Sequence, residues 1–112
     1  MPEKQFSELD PLEVKKLVDE GKADLIDVRE SHEWEKTRIP GAALVPLSQF
    51  DPHAMAGEAG KMAIFHCRSG TRTWNAQLFF KQTGYAEVAH LKGGILAWHA
   101  SGLPIEGPET PQ

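Results

Sequence analysis

A chain of 112 residues, 40% hydrophobic and 25% charged, has the size and make-up of one domain built around one core. Its formal net charge of −4 argues against a surface that tracks nucleic-acid phosphates, and no apolar run approaches the roughly 20 residues needed to span a bilayer. The start MPEKQFSELD lacks a signal-peptide apolar region, and one cysteine can form neither an intramolecular disulfide nor a zinc cluster, so the expected location is the cytoplasm, with no membrane, nucleic-acid or metal partner.

In chain order, LDPLEVKKLVDEG reads as a helix with both ends written in: Asp10 as N-cap, Pro11 at the first position, Glu13 completing a capping box, and Gly21 as the left-handed stop. Val14, Leu17 and Val18 share its apolar face. Four apolar runs of strand length follow: ADLIDV (Ala23–Val28), ALVPL (Ala43–Leu47), MAIFHC (Met62–Cys67) and EVAHL (Glu87–Leu91). Between them the sequence predicts a short helix at Ser31–Lys36, a weak one within Ser48–Ala59, a strong one at Thr71–Lys81 and another at Ile95–Ser101. The Gly, Ala and Pro content of Asp51–Gly60 favours a loop with one helical turn, and Gly84 is expected as the left-handed residue after the strong helix, with Tyr85 packing back on it. Near-continuous apolar strands separated by helix-length segments indicate a parallel sheet covered on both faces, an α/β class. Residues 1–105 are expected to form one domain; the polar residues 106–112 are expected to be a flexible tail, either a natural terminus or a cut linker.

The chemistry is concentrated after the third apolar run. From Lys61 to Ala86 the chain contains Lys61, Arg68, Arg72 and Lys81 and no Asp or Glu, so this stretch carries +4 in an acidic protein, and it holds the single cysteine, Cys67. A cleft formed by this stretch would attract small anions. In open α/β sheets ligands bind beyond the carboxyl ends of the strands, which is where Cys67 and the following Arg68-Ser69-Gly70 fall. Consecutive backbone N–H groups in such a loop form an anion nest, the next helix adds its positive end, and Gly70 allows the tight turn. The expected nucleophile is the Cys67 thiolate, favoured by these groups without a histidine or carboxylate base. Arg68 is expected at the rim as a docking charge; Arg72, in the first helical turn, is expected to fold back over the nest, and paired guanidiniums suit the oxygens of sulfite, sulfate or thiosulfate.

These residues resemble a known family. CRSGTRT (Cys67–Thr73) is similar to the active-site loop of single-domain rhodaneses, the thiosulfate sulfurtransferases, and LIDVRESHEW with RIPGA (Leu25–Ala42) and LKGGILAW (Leu91–Trp98) match two further signatures in order. The resemblance covers about Ser7 to Pro104. It implies an open sheet of about five parallel strands with helices on both faces, and a catalytic Cys67 that cycles through a persulfide. Thiosulfate would give up its outer sulfur to Cys67, and an acceptor such as cyanide, a thiol or a sulfur-accepting protein would remove it. No cofactor beyond the persulfide is implied. Arg68, Ser69, Gly70, Thr71 and Arg72 would bind the donor, with Thr73, Asp27, Arg29, Gly93 and Gly94 in support. Cysteine-dependent phosphatases are similar but place one more residue between Cys and Arg, so the tighter ring here suits a sulfur atom. Arg68 and Arg72 favour an inorganic anionic donor over mercaptopyruvate, with polysulfides and glutathione persulfide left open.

Plainer roles compete for each residue. Cys67 could be inert core, Arg68 an ordinary surface residue and Arg72 a solvated helix residue. Strand alternation points His66 away from the neighbouring thiol, which makes it structural. His32, His53, His90 and His99 have no ligand spacing and are expected at surface or half-buried positions. Asp27, Arg29 and Glu33 are expected to brace the loop, Gly93 and Gly94 to let the chain pass close beneath it, Trp98 to be core, and Trp74 either to line the rim or to pack. Two other functions compete with sulfur transfer: a non-catalytic interaction module, which would typically lack the cysteine, and a thiol redox sensor, which would usually carry a resolving cysteine.

Overall fold

The computed structural model describes residues 4–112. Strands β1 (Phe6–Leu9), β2 (Ala23–Asp27), β3 (Ala43–Leu44), β4 (Met62–His66) and β5 (Val88–Leu91) form one open, all-parallel sheet in the order β1-β5-β4-β2-β3. Helices α1 (Pro11–Asp19), α2 (Ser31–Lys36), α3 (Thr71–Asn75), α4 (Gln77–Phe80) and α5 (Gly94–Ala100) lie between strands or follow the last one.

Local sequence explains α1 at both ends. The Asp10 side chain accepts the Glu13 N–H at 2.9 Å, Pro11 opens the first turn, and Gly21 takes φ +72 just past the end. Val14 is completely buried from this helix.

Alternation along the strands feeds two cores. Leu25, Ile64, Ala89 and Leu91 face Val14 of α1 and Ile95 and Trp98 of α5. Ile26, Ala63, Phe65 and Val88 face the opposite way, toward Ala76, Phe80 and Tyr85, and Cys67 belongs to this second cluster. Phe80 stacks on Phe65 with ring centroids 3.9 Å apart, which ties α4 to the central strand.

The structure corrects four local expectations. The segment expected as one helix over Thr71–Lys81 is two short ones, because Ala76 leaves the helical region at φ −94, ψ 8 between α3 and α4. Gly84 has no positive φ; a Cβ there would sit 1.9 Å from the Ala56 carbonyl oxygen, so glycine is required by close packing against the 55–57 loop instead. The weak helix expected within Ser48–Ala59 is replaced by 3-10 turns at Leu47–Gln49 and Pro52–Ala54, the second being the one turn expected in the Asp51–Gly60 loop, and the ALVPL strand is reduced to Ala43–Leu44. A strand with no counterpart among the four apolar runs, β1, pairs in parallel with β5 at the sheet edge.

After α5 the chain turns back. Arg38 and Glu106 form an antiparallel bridge, and the Glu109 N–H donates to the Lys36 carbonyl at 3.0 Å, so residues 106–109 run beside the end of α2. Among the described residues no helix is long and apolar enough to cross a membrane.

Candidate active site

Cys67 is the first residue after β4, at the carboxyl end of the sheet, and its side chain is only 1% exposed. The chain then rises through Arg68 and Ser69, which are exposed, and returns at Gly70, which is buried. Gly70 adopts φ +96, a conformation that suits glycine, and this turn aims its N–H at Cys67 Sγ, 3.2 Å away. Thr71 and Arg72 then begin α3, and the Thr73 hydroxyl lies 3.7 Å from Sγ. The loop therefore brings one backbone N–H, that of Gly70, and one hydroxyl, that of Thr73, to the sulfur. Because α3 has only five residues, the stabilisation available to a charged sulfur comes from the Gly70 N–H and neighbouring side chains more than from a long helix dipole.

The loop rests on the start of α5. Ile95 and Leu96 donate their N–H groups to the carbonyls of Cys67 and Arg68 at 3.0 and 3.2 Å. Gly93 and Gly94 turn the chain with φ +77 and +60, and a Cβ on Gly94 would stand 2.4 Å from the Arg68 carbonyl oxygen. Gly94 thus lies against the loop backbone, while a Cβ on Gly93 would meet Ala97 of α5 at 2.5 Å.

Behind the loop, Asp27 and Arg29 make a buried ion pair. Arg29 Nε approaches both carboxylate oxygens at 3.0 and 3.1 Å, and Nη2 bonds Asp27 at 2.8 Å and the Thr37 carbonyl at 2.7 Å. This pair links the end of β2 to the end of α2. The buried His66 directs Nδ1 to the Cys67 carbonyl at 3.2 Å and holds Nε2 3.5 Å from Asp27. Burial pushes its pKa below the usual histidine value and keeps it neutral. Nδ1 is engaged by the Cys67 backbone, and the buried Nε2 has no hydrogen-bond partner among the described residues.

Arg72 does not stand alone over the loop: its guanidinium makes a bidentate pair with Glu33 of α2, both contacts 2.8 Å. The Arg72 hydrogen bonds hold the Glu33 carboxyl down to about 2, well below the ordinary value of 4.5. Because the folded value is the depressed one, this contribution to stability is present above about pH 4.5 and lost as pH falls toward 2. We expect acid titration of the parent protein to show that loss, and Glu33→Gln to flatten it over the same window. Partial exposure of both partners limits the difference to about 1–2 kcal/mol. Equal acid sensitivity in the two proteins would contradict the assignment.

Arg68 extends into an open cleft beside the loop, also lined by Arg29, His32, Glu33, Lys36 and Gln112, and its Nε donates to the Gln112 carbonyl. Trp74 is half-exposed and packs against the rings of Phe6 and His90, and it is not among the residues lining the cleft at Arg68. Trp98 is core, with its indole N–H on the Pro104 carbonyl.

Two residues that the sequence did not single out reach the same locus. His90, expected at a surface or half-buried position, is 1% exposed; its Nδ1 lies 2.6 Å from the Thr73 hydroxyl and its Nε2 2.9 Å from the Glu8 carboxylate. The register of β1 on β5 places Glu8 directly beside His90. With β1 unrecognised, no sequence signal joined positions 8, 73 and 90.

Comparison with known proteins agrees with this geometry. The Rhodanese-like domain family matches residues 10–101. An Allochromatium vinosum protein named Sulfurtransferase is 34% identical over 94 residues, covering 84% of this chain and 88% of its own. An uncharacterized protein of Synechocystis sp. is 38% identical over 80 residues, 71% of this chain, and the matched part spans 45% of that longer protein. The crystal structure of a rhodanese-related protein from Thermoplasma volcanium superposes with a TM-score of 0.75 at 24% identity, covering 90% of this chain and 98% of the other, which supports the fold. With its cysteine loop closed on Gly70 and seated on the Gly93–Gly94 turn, the chain belongs to the rhodanese-like domain family, whose members include sulfurtransferases.

Proposed function

We propose that the protein is a thiosulfate sulfurtransferase with Cys67 as nucleophile and sulfur carrier. The observation that carries this reading is the Gly70 N–H held 3.2 Å from a solitary thiol at the base of a six-residue loop running from Cys67 to Arg72. A thiolate there attacks the outer sulfur of thiosulfate; the sulfur–sulfur bond of the donor breaks, and sulfite leaves with its electron pair. Cys67 then bears a persulfide, whose outer sulfur lies among the loop N–H groups. Cyanide or an acceptor thiolate attacks that outer sulfur, giving thiocyanate or a new persulfide and regenerating the Cys67 thiolate. Electrons balance in each half-reaction without a further reagent.

The exposed loop residues Arg68, Ser69 and Thr71 form the entrance through which the donor's sulfur must pass. Arg68 supplies the docking charge for an anionic donor, whereas Arg72 is clamped by Glu33 and mainly fixes the loop to α2. The size of the ring favours sulfur over a phosphoryl group. Intact-protein mass spectrometry after incubation with thiosulfate should show one added sulfur atom, lost on adding cyanide as thiocyanate accumulates. Uptake only from polysulfide or glutathione persulfide would replace the donor; uptake from none of the three would favour a binding module.

A further inference from the structure

The thiol is connected to solvent by a chain of three side chains on three different elements. Cys67 Sγ lies 3.7 Å from Thr73 Oγ1, Thr73 Oγ1 lies 2.6 Å from His90 Nδ1, and His90 Nε2 lies 2.9 Å from Glu8 Oε2. The inner members are buried, while Glu8 at the sheet edge is 45% exposed. Hydrogen-bond capacity dictates how protons are arranged along it. An ionised carboxylate only accepts, so His90 Nε2 donates to Glu8; in the neutral ring Nδ1 must then accept, and of the two acceptors facing the Thr73 hydroxyl, Nδ1 at 2.6 Å and the Gly70 carbonyl at 3.1 Å, the nearer takes its proton. Thr73 Oγ1 is left with lone pairs facing the Cys67 S–H.

We propose that Glu8, His90 and Thr73 form a proton relay for Cys67, with His90 and Glu8 acting as positioning residues through Thr73. As the S–H bond breaks, its proton passes to Thr73 Oγ1 while the original Thr73 proton passes to His90 Nδ1. The products are a thiolate and an imidazolium. Every group in the second arrangement keeps a partner: His90 Nδ1–H donates to Thr73, Nε2–H donates to Glu8, and the Thr73 hydroxyl turns to Sγ or to the Gly70 carbonyl, 3.1 Å away. No co-reactant is needed. When the thiolate attacks a donor, the negative charge passes to the persulfide and remains balanced by the imidazolium.

The groups facing His90 fit this role. Glu8 and Phe6 approach from β1, Thr73 and Trp74 from α3, and Phe65 lies beside it on β4, with Cys67 beyond Thr73. Glu8 and Cys67 are the titrating partners in this set, so the imidazolium has one carboxylate next to it and one thiolate across a hydroxyl.

The relay rests on the Cys67 sulfur-transfer reading, and its test is chosen to need no sulfur donor. The rate of Cys67 alkylation by iodoacetamide is measured across pH on the full chain for the parent, Thr73→Val, Thr73→Ser, His90→Asn and Glu8→Gln, with thermal stability recorded for each. Thr73→Val and His90→Asn should shift the reactivity profile to higher pH and slow alkylation near neutrality by about tenfold, the equivalent of one pH unit. Thr73→Ser should restore the parent profile, and Glu8→Gln, at a half-exposed site that tolerates substitution, should shift it in the same direction by less. Profiles that keep the parent's pH dependence, with only melting temperature or overall rate lowered, would overturn the relay and leave His90 as a packing residue. Sulfur uptake is then measured on the same proteins; its absence in the parent would count against the sulfurtransferase reading alone.

Discussion

Cys67→Ser should take up no sulfur from thiosulfate while remaining folded. The hydroxyl is smaller than the thiol but points into the same space, where the Gly70 N–H, 3.2 Å from Sγ, can still donate to it. The buried site loses some apolar contact, for which a cost of about 1–2 kcal/mol is expected, a small part of the stability of an ordinary domain. Chemistry changes far more. A serine oxygen ionises poorly, attacks sulfur weakly, and cannot hold the transferred atom as a persulfide. Intact mass after thiosulfate, with circular dichroism as the fold control, checks this directly. An added sulfur on the serine protein would move the chemistry to another residue, and since the chain has no second cysteine, it would end the persulfide mechanism.

The active loop could be found from sequence because its requirements are local. A strand ending at His66, a cysteine, a turn glycine at Gly70 and a following helix are adjacent in the chain, and their chemistry does not depend on distant partners. The same is true of α1, whose Asp10 cap and Gly21 stop both hold in the structure. Gly93 and Gly94 were legible for a different reason, since paired glycines before an apolar helix imply a close approach even when the approaching segment is unknown.

What could not be read was set by contacts between distant parts of the chain. Arg72 reads as a free cation until α2 is placed beside α3 and Glu33 closes on it. Gly84 looks like a helix stop, although its missing Cβ makes room for the Ala56 carbonyl from an earlier loop. FSEL is too short and too polar to announce a strand; as an edge strand it needs one partner only, and β5 supplies it. Losing that strand also hid the Glu8–His90 contact, since those residues are 82 positions apart in the chain.

Gly94→Ala should destabilise the protein more than an alanine at any loop glycine whose surroundings are open. Two costs combine. The backbone at Gly94 has φ +60, a left-handed conformation that costs an alanine about 1–2 kcal/mol. In addition, the new Cβ would lie 2.4 Å from the Arg68 carbonyl oxygen and 2.6 Å from that of Cys67. Those atoms cannot swing aside as a surface side chain would, because both carbonyls are hydrogen-bonded by Ile95 and Leu96. The loop must lift from α5, breaking these bonds, and the total cost should reach about 3 kcal/mol or more. Gly21→Ala provides the comparison: φ is +72, yet nothing lies within 4 Å of its Cβ, so it bears the conformational cost alone. Thermal denaturation of both should place Gly94→Ala lower by about 5 °C or more. Equal melting temperatures would mean that the loop yields freely, and with it the argument that α5 holds Cys67 in place for reaction.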